Sequence, residues 1–234
     1  MKRLFTLLEL LIVMAIIALL LSILLPSLAK ARKKTENAVC KSNLRQISIT
    51  VFSFAENNKG LIVPAWTGTA AWNAVSWDDQ LGDYMGRELS LAEKKSELLS
   101  KDQDDSAVNS IFKCPSDVFE SVTPENYRRT YTMNRNNRNG VSWHNSEVKI
   151  LQVAGDTLIM TEKPHTRNRL GKDGHSSVNN PETQSIGGAF DLHGDRMFNY
   201  MKIDSSVSTL KDSLSSGNGT MSDPLGIWTR VESD

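Results

Sequence analysis

A chain of 234 residues with 27 Lys+Arg against 27 Asp+Glu carries no net charge, and lacks the overall basic excess of a nucleic-acid-binding domain. Setting aside an apolar N-terminal stretch leaves roughly 180–200 residues, enough for one head domain with its own core. Two cysteines, Cys40 and Cys114, are compatible with one disulfide outside the cytoplasm or with two unpaired thiols.

After Lys2 and Arg3 the chain reads LFTLLELLIVMAIIALLLSILL from Leu4 to Leu25, apolar except for Thr6, Glu9 and Ser22. As a helix this run is about 30 Å long, the thickness of a bilayer core. Lipid offers the backbone no hydrogen-bond partner, so an inserted segment must be helical. One alternative is a cleaved secretory signal, with Lys2 and Arg3 as its positive end and Ser27-Leu28-Ala29 near the cut, but the run outlasts the ~7–15 apolar residues of such signals. Another is a plain signal anchor. Glu9 argues against it, because a carboxylate in an apolar helix costs ~2.5–3.5 kcal/mol and calls for a cation at its own depth.

Phe5-Thr6-Leu7-Leu8-Glu9-Leu10-Leu11, preceded by Lys2-Arg3 and followed by Ile12-Val13-Met14-Ala15-Ile16-Ile17-Ala18, resembles the N-terminus of type IV pilins and type II secretion pseudopilins. The resemblance implies that residues 1–4 are a short leader, with Lys2 and Arg3 as the cytoplasmic anchor. It implies that a prepilin peptidase cuts between Leu4 and Phe5, and that Phe5 becomes an N-methylated terminus. It makes Glu9 the assembly charge, neutralising the terminal amine of a neighbour; opposite charges attract strongly at low dielectric while either alone is costly. The partners implied are other pilin or pseudopilin subunits, the peptidase and the inner membrane, with the head in the periplasm or on the cell surface. Leu4 stands where the family usually has Gly. Lys30, Arg32, Lys33 and Lys34, just after the apolar run, pull the other way on topology: the positive-inside rule alone would keep the head in the cytoplasm. As a local feature they read as a solvated helix face or a lipid-headgroup contact.

Pro26 removes one helical hydrogen bond, and a kink is expected there without an end, since the helical pattern resumes at once; pilins commonly carry a proline at this place. Ala31, Ala38, Leu44, Ile47, Val51 and Phe54 recur at three- and four-residue steps, an apolar stripe to lay on the head. Asn57-Asn58-Lys59-Gly60 ends the helix. Leu61–Val63 is extended, 68–74 is a loop, and Trp77, Leu81 and Tyr84 lie at helical spacing. Leu89–Lys101 is helix-friendly and 102–109 polar. Ile111-Phe112 leads into a turn at Cys114-Pro115-Ser116-Asp117. Tyr131–Asn134 reads as a strand, 134–140 as a polar turn and 148–153 as a connection. Thr157–Glu162 reads as the central strand. A long surface loop is expected over 167–184, and a hairpin over Phe190–Ile203 with Gly194-Asp195 at its turn. Residues 205–223 are Ser/Gly-rich and expected to be mobile. Leu225–Val231 is a last apolar piece, either edge strand or helix.

Cys40-Lys41-Ser42-Asn43-Leu44-Arg45-Gln46 and Phe112-Lys113-Cys114-Pro115-Ser116-Asp117 add a second resemblance, to a pilin-like subgroup of planctomycete- and lentisphaera-type bacteria that pairs C-x-x-N-L-x-Q with F-x-C-P-x-D. His193 followed by Asp204 is similar, loosely, to a third motif of that subgroup. A Cys40–Cys114 bridge would tie helix to head and remove ~3–4 kcal/mol of unfolded-chain entropy.

The expected architecture is an α+β, pilin-like fold: a long N-terminal helix over 5–57, membrane-spanning over about 5–25, packed on a small antiparallel sheet with irregular loops in a head over 58–234. The expected function is structural, with no cofactor, no metal and no catalytic residues. His144, His165, His175 and His193 fall in expected loops or turns without zinc spacing. Gly171-Lys172-Asp173-Gly174-His175 lacks the strand and glycine spacing of a phosphate loop. Asp191, Asp195, Asp204 and Asp223 are calcium candidates without EF-hand spacing. Trp66, Trp72 and Trp77 are either core residues or a carbohydrate-stacking face on a permanently anchored surface protein. A membrane-tethered hydrolase is the remaining rival.

Overall fold

The computed structural model describes residues 6–69, 73–95, 99–101, 107–135, 141, 145–171, 177–178, 181, 192–220 and 222–229. Its dominant element is α1 (Leu7–Asn57), one α-helix that runs through Pro26. Thr6 caps it: the Glu9 N–H donates to Thr6 Oγ1 at 3.2 Å, while the Glu9 carboxylate accepts from the Thr6 N–H at 2.9 Å. This reciprocal box satisfies two of the donors that every helix start leaves open. At the other end Asn58 leaves the helix and Lys59 and Gly60 turn left-handed.

The first half of α1 stands clear of the head. Every large apolar side chain from Leu7 to Leu28 is 44–89 % exposed, and none of the membrane-length apolar window is buried. The second half is buried along one face, through Cys40, Asn43, Leu44, Ile47, Ser48, Val51 and Ala55. The stripe is thus shorter than the spacing suggested: Ala31 and Ala38 are exposed, and packing starts at Cys40.

The head is built on a five-stranded sheet: β3 (Tyr131–Asn134), β4 (Leu158–Glu162), β5 (Ser177–Val178), β6 (Met197–Lys202) and β7 (Val207–Lys211), in the order β5-β3-β4-β6-β7. All pairs are antiparallel except β3 with β5. β4 is the middle strand and is buried throughout. A small hairpin of β1 (Trp66–Thr67) and β2 (Val75–Ser76) leads into α2 (Trp77–Gly82). α1 lies against β6, β7 and α2. Leu44, Ile47, Val51, Trp77, Phe112, Tyr131, Ile159 and Met201 form the core beneath it. A second cluster, with Leu158, Phe198, Tyr200 and Trp228, covers the opposite side of the sheet.

Several segments depart from the sequence expectations. Among the described residues of 89–101, the helix is Leu91–Lys94 (α3), capped by Ser90, and 96–98 lie outside the described residues. Leu99 is instead held extended, donating to the Leu170 carbonyl and accepting from Tyr127 N–H, because burying Leu99 there gains more than one further turn of an exposed helix. The polar stretch before Ile111 ends in a 3-10 helix, Ala107–Phe112. The loop over 167–184 is not confined to the surface: Asn168 and Leu170 are buried and β5 joins the sheet. Of the expected hairpin, Phe190 and Asp191 lie outside the described residues; among the described residues a hairpin turn follows β6 and joins it to β7. Lys202 N–H bonds the Ser206 carbonyl around Ser205, whose φ is +66°, and Gly194-Asp195 only leads into β6. Residues 207–215 are strand β7 and the short helix α4 (Asp212–Ser215), so Ser-rich composition there does not mean mobility. Gly226–Trp228 is a 3-10 turn that buries Trp228.

Candidate functional site

Glu9 and the apolar rod are the first site the sequence singles out. The Glu9 carboxylate takes both the N–H and the hydroxyl of Thr6 at 2.9 Å, so within one chain it serves as a helix cap. Lys2, Arg3, Leu4 and Phe5 lie outside the described residues.

The second site is inside the head. Cys40 from α1 and Cys114 from the turn after the 3-10 helix are joined by a disulfide. The motif residues around them do structural work. Asn43 Nδ2 donates to the Lys113 carbonyl at 3.2 Å, Tyr131 Oη to the Cys40 carbonyl at 3.2 Å, and Asp117 N–H closes the turn onto the Cys114 carbonyl. The Asp117 carboxylate is buried and grips Arg128 through two guanidinium nitrogens at 2.8 and 3.0 Å. The F-x-C-P-x-D turn is therefore a pinned strut beside the bridge.

Next to the sulfurs lies a buried polar centre. His193 Nε2 is 3.0 Å from both oxygens of Glu162 and 3.8 Å from Cys114 Sγ. Asn199 donates its backbone N–H to Glu162 Oε2 at 2.7 Å and its amide to Oε1 at 3.1 Å. Asn199 is steadied in turn by Asn37 of α1 and Thr209 of β7. The Glu162 side chain is fully buried and that of His193 only 2 % exposed. The sulfurs of Cys40 and Cys114, an oxygen of Glu162 and a ring nitrogen of His193 all fall within 4.8 Å of one another. Sequence spacing gives no hint of this, since the residues come from α1, a turn, β4 and the approach to β6. The loose His193 motif was the single available pointer.

A third buried cluster joins Asp78 and Asp79 at the start of α2 to Arg87 and Arg129. Arg87 Nη2 contacts Asp79 Oδ1 at 2.7 Å, Arg129 contacts Asp78, and Gly171 N–H donates to Asp78 Oδ2 at 2.8 Å. The guanidiniums sit over Phe112 and Trp77. Burial and the adjacent Asp78 raise the Asp79 carboxyl from its ordinary 3.8 to about 7. Its four charged side chains are buried, and the cluster clips four segments together.

A groove of about 650 Å³ opens between the 3-10 helix and the 118–128 segment, lined by Lys101, Lys113, Phe119, Glu120, Ser121 and Tyr127 among others. The tryptophans do not form a stacking face: Trp77 is fully buried and Trp66 is packed against the core, while Trp72 lies outside the described residues. Asp195, Asp204 and Asp223 fall in no metal-sized cluster among the described residues. Asp195 pairs with Lys211, and the side chain of Ser206, together with its N–H at 2.8 Å, holds the Asp204 carboxyl below the usual range. Asp191, His144 and His175 lie outside the described residues.

Comparison with protein-family models, curated proteins and solved structures finds no match for this chain. Among the described residues the chain has an α+β head and one helix long and apolar enough to cross a membrane.

Proposed function

We propose that the chain is a structural subunit of a type IV pilus-like filament or type II secretion pseudopilus, held in the inner membrane by the first half of α1 until it assembles. One observation carries this reading. An apolar rod about 30 Å long projects from the head with every large side chain exposed. Left in water, such a surface would drive association, so it needs lipid before assembly and neighbouring rods afterwards. The N-terminal resemblance supplies the second half of the argument: Glu9 sits where an assembly charge is needed, one turn into the rod, and Lys2 and Arg3 would hold the short end in the cytoplasm.

Within an isolated chain Glu9 also caps its own helix, and two substitutions separate the roles. Glu9→Gln keeps the capping box, since Gln serves at that position as well as Glu, but removes the charge. Glu9→Ala removes both. Both variants should insert into the membrane at wild-type levels and fail to enter filaments when co-expressed with wild-type subunits. Normal incorporation of Glu9→Gln would sink the charge role.

Leu4, in place of the usual Gly at the cut, favours a second reading: a permanently anchored single-pass surface protein whose head binds a ligand. N-terminal mass spectrometry of the mature chain separates the two. A methylated Phe5 supports the filament subunit, and an intact Met1 supports the anchor.

A further inference from the structure

The polar centre beside the disulfide is more than the bridge requires. Disulfide sulfurs are weak hydrogen-bond acceptors and gain little from a carboxylate and an imidazole. Burying those two groups is costly unless something repays it. Within the described residues His193 Nδ1 finds no hydrogen-bond partner, while Nε2 faces both Glu162 oxygens at 3.0 Å and Asn199 Nδ2 at 2.9 Å.

We propose that the dithiol form of this chain binds one zinc-class divalent cation through Cys40 Sγ, Cys114 Sγ, His193 Nε2 and one Glu162 oxygen. Two thiolates, an imidazole and a carboxylate suit a d10, borderline-soft ion. Metal bonds of ~2.3 Å to sulfur and ~2.0–2.1 Å to nitrogen or oxygen in a tetrahedron place the donors about 3.3–3.8 Å apart. Nε2 already lies 3.0 Å from the Glu162 oxygens and 3.8 Å from Cys114 Sγ, and no donor pair exceeds 4.8 Å. The large adjustment is at the sulfurs, which move apart once they are no longer bonded to each other. Outer support is in place as well: the backbone and side-chain amides of Asn199 orient Glu162, and Asn37 and Thr209 hold Asn199, the kind of second layer that metal-binding carboxylates use.

Cysteines enter every chain as thiols, so the dithiol form precedes the bridge. On binding, each thiol gives up its proton and the neutral imidazole binds through Nε2, its remaining proton on Nδ1. The ion would clip α1 to the turn, to β4 and to the approach to β6, the tie that the disulfide makes in an oxidising compartment. This inference does not depend on the filament reading.

The test uses the full chain in detergent micelles, without oxygen. A phosphine reduces the bridge: phosphorus is oxidised to the phosphine oxide, its oxygen comes from water, and both sulfurs leave as thiols. Titration with Co2+ alone should then give one equivalent per chain, with the visible bands of a tetrahedral thiolate site, and excess Zn2+ should bleach them. The disulfide form should bind none. His193→Ala and Glu162→Gln in the dithiol form should weaken binding about tenfold or more. A dithiol chain that keeps its circular dichroism yet binds less than one equivalent overturns the proposal. So do variants that bind as tightly as wild type, which would leave a site of cysteines alone. Should reduction cost the head its fold, recovery of the native dichroism on adding Zn2+ supports the site, and no recovery overturns it.

Discussion

At the scale of single residues, the head buries several charges in paired groups. Asp78, Asp79, Arg87 and Arg129 form one sealed group, and Asp117 with Arg128 another. Each charge would be expensive alone and is tolerable with its partner. Asp79 has the clearest consequence. Its folded value, raised to about 7 from 3.8, means that the folded state holds this proton more tightly than the unfolded chain does. The stability it contributes is full below pH ~4 and is lost as pH rises through about 7. Asp79→Asn should therefore flatten the decline in head stability between those limits, as read by urea denaturation at a series of pH values. A decline unchanged in the variant would assign it to other groups. None of this was legible beforehand. The sequence marks only the helical spacing of Trp77, Leu81 and Tyr84 around Asp78-Asp79, and the arginines that pair with them lie eight to fifty-one positions away.

At the scale of elements, local pattern and long-range packing divide cleanly. The end of α1 at Asn57, the strand over Tyr131–Asn134 and the central strand β4 follow from periodicity and turn residues that sit beside them in the chain. β6 does not. It reads as one arm of a hairpin, yet Phe198, Asn199, Tyr200 and Met201 are all buried, because α1 covers one side of the sheet and the Trp228 cluster covers the other. A strand buried on both faces loses the alternation that marks it. The stripe of α1 offers a direct check. Leu44→Ala removes a side chain with no solvent exposure and should cost about 2–5 kcal/mol in chemical denaturation. Ile49→Ala, on the same helix but 67 % exposed, should stay within about 0.5 kcal/mol.

At the scale of the whole molecule, the chain is a rod and a head that share one helix. Packing on the head begins near Cys40, and none of the described residues before it is buried beyond a partial covering of Glu36 and Asn37. A fragment starting at Lys34 should thus be soluble without detergent, with the helical and sheet dichroism of the head and the Cys40–Cys114 bond intact by thiol titration. The full chain should require micelles. Sedimentation showing the fragment aggregated would mean that the first half of α1 contributes to the fold and is more than an anchor. The bridge closes a separation of 74 residues, worth about 4 kcal/mol in the chain-entropy picture, and it joins the shared helix to the head at the first point where they meet.

The rod, its single acid, the end of the long helix and the middle strand of the sheet were readable from residues close together in the chain, since hydropathy and helical period are local quantities. The disulfide was readable only as one of two outcomes. Of its surroundings only His193 had a pointer, the loose motif around it: Glu162, His193 and Asn199 converge on Cys114 because β4, the approach to β6 and β6 itself are laid side by side by strand pairing, and α1 then closes over them. Convergence of that kind depends on register and on which face each strand turns inward, and both are settled by burial across the whole head.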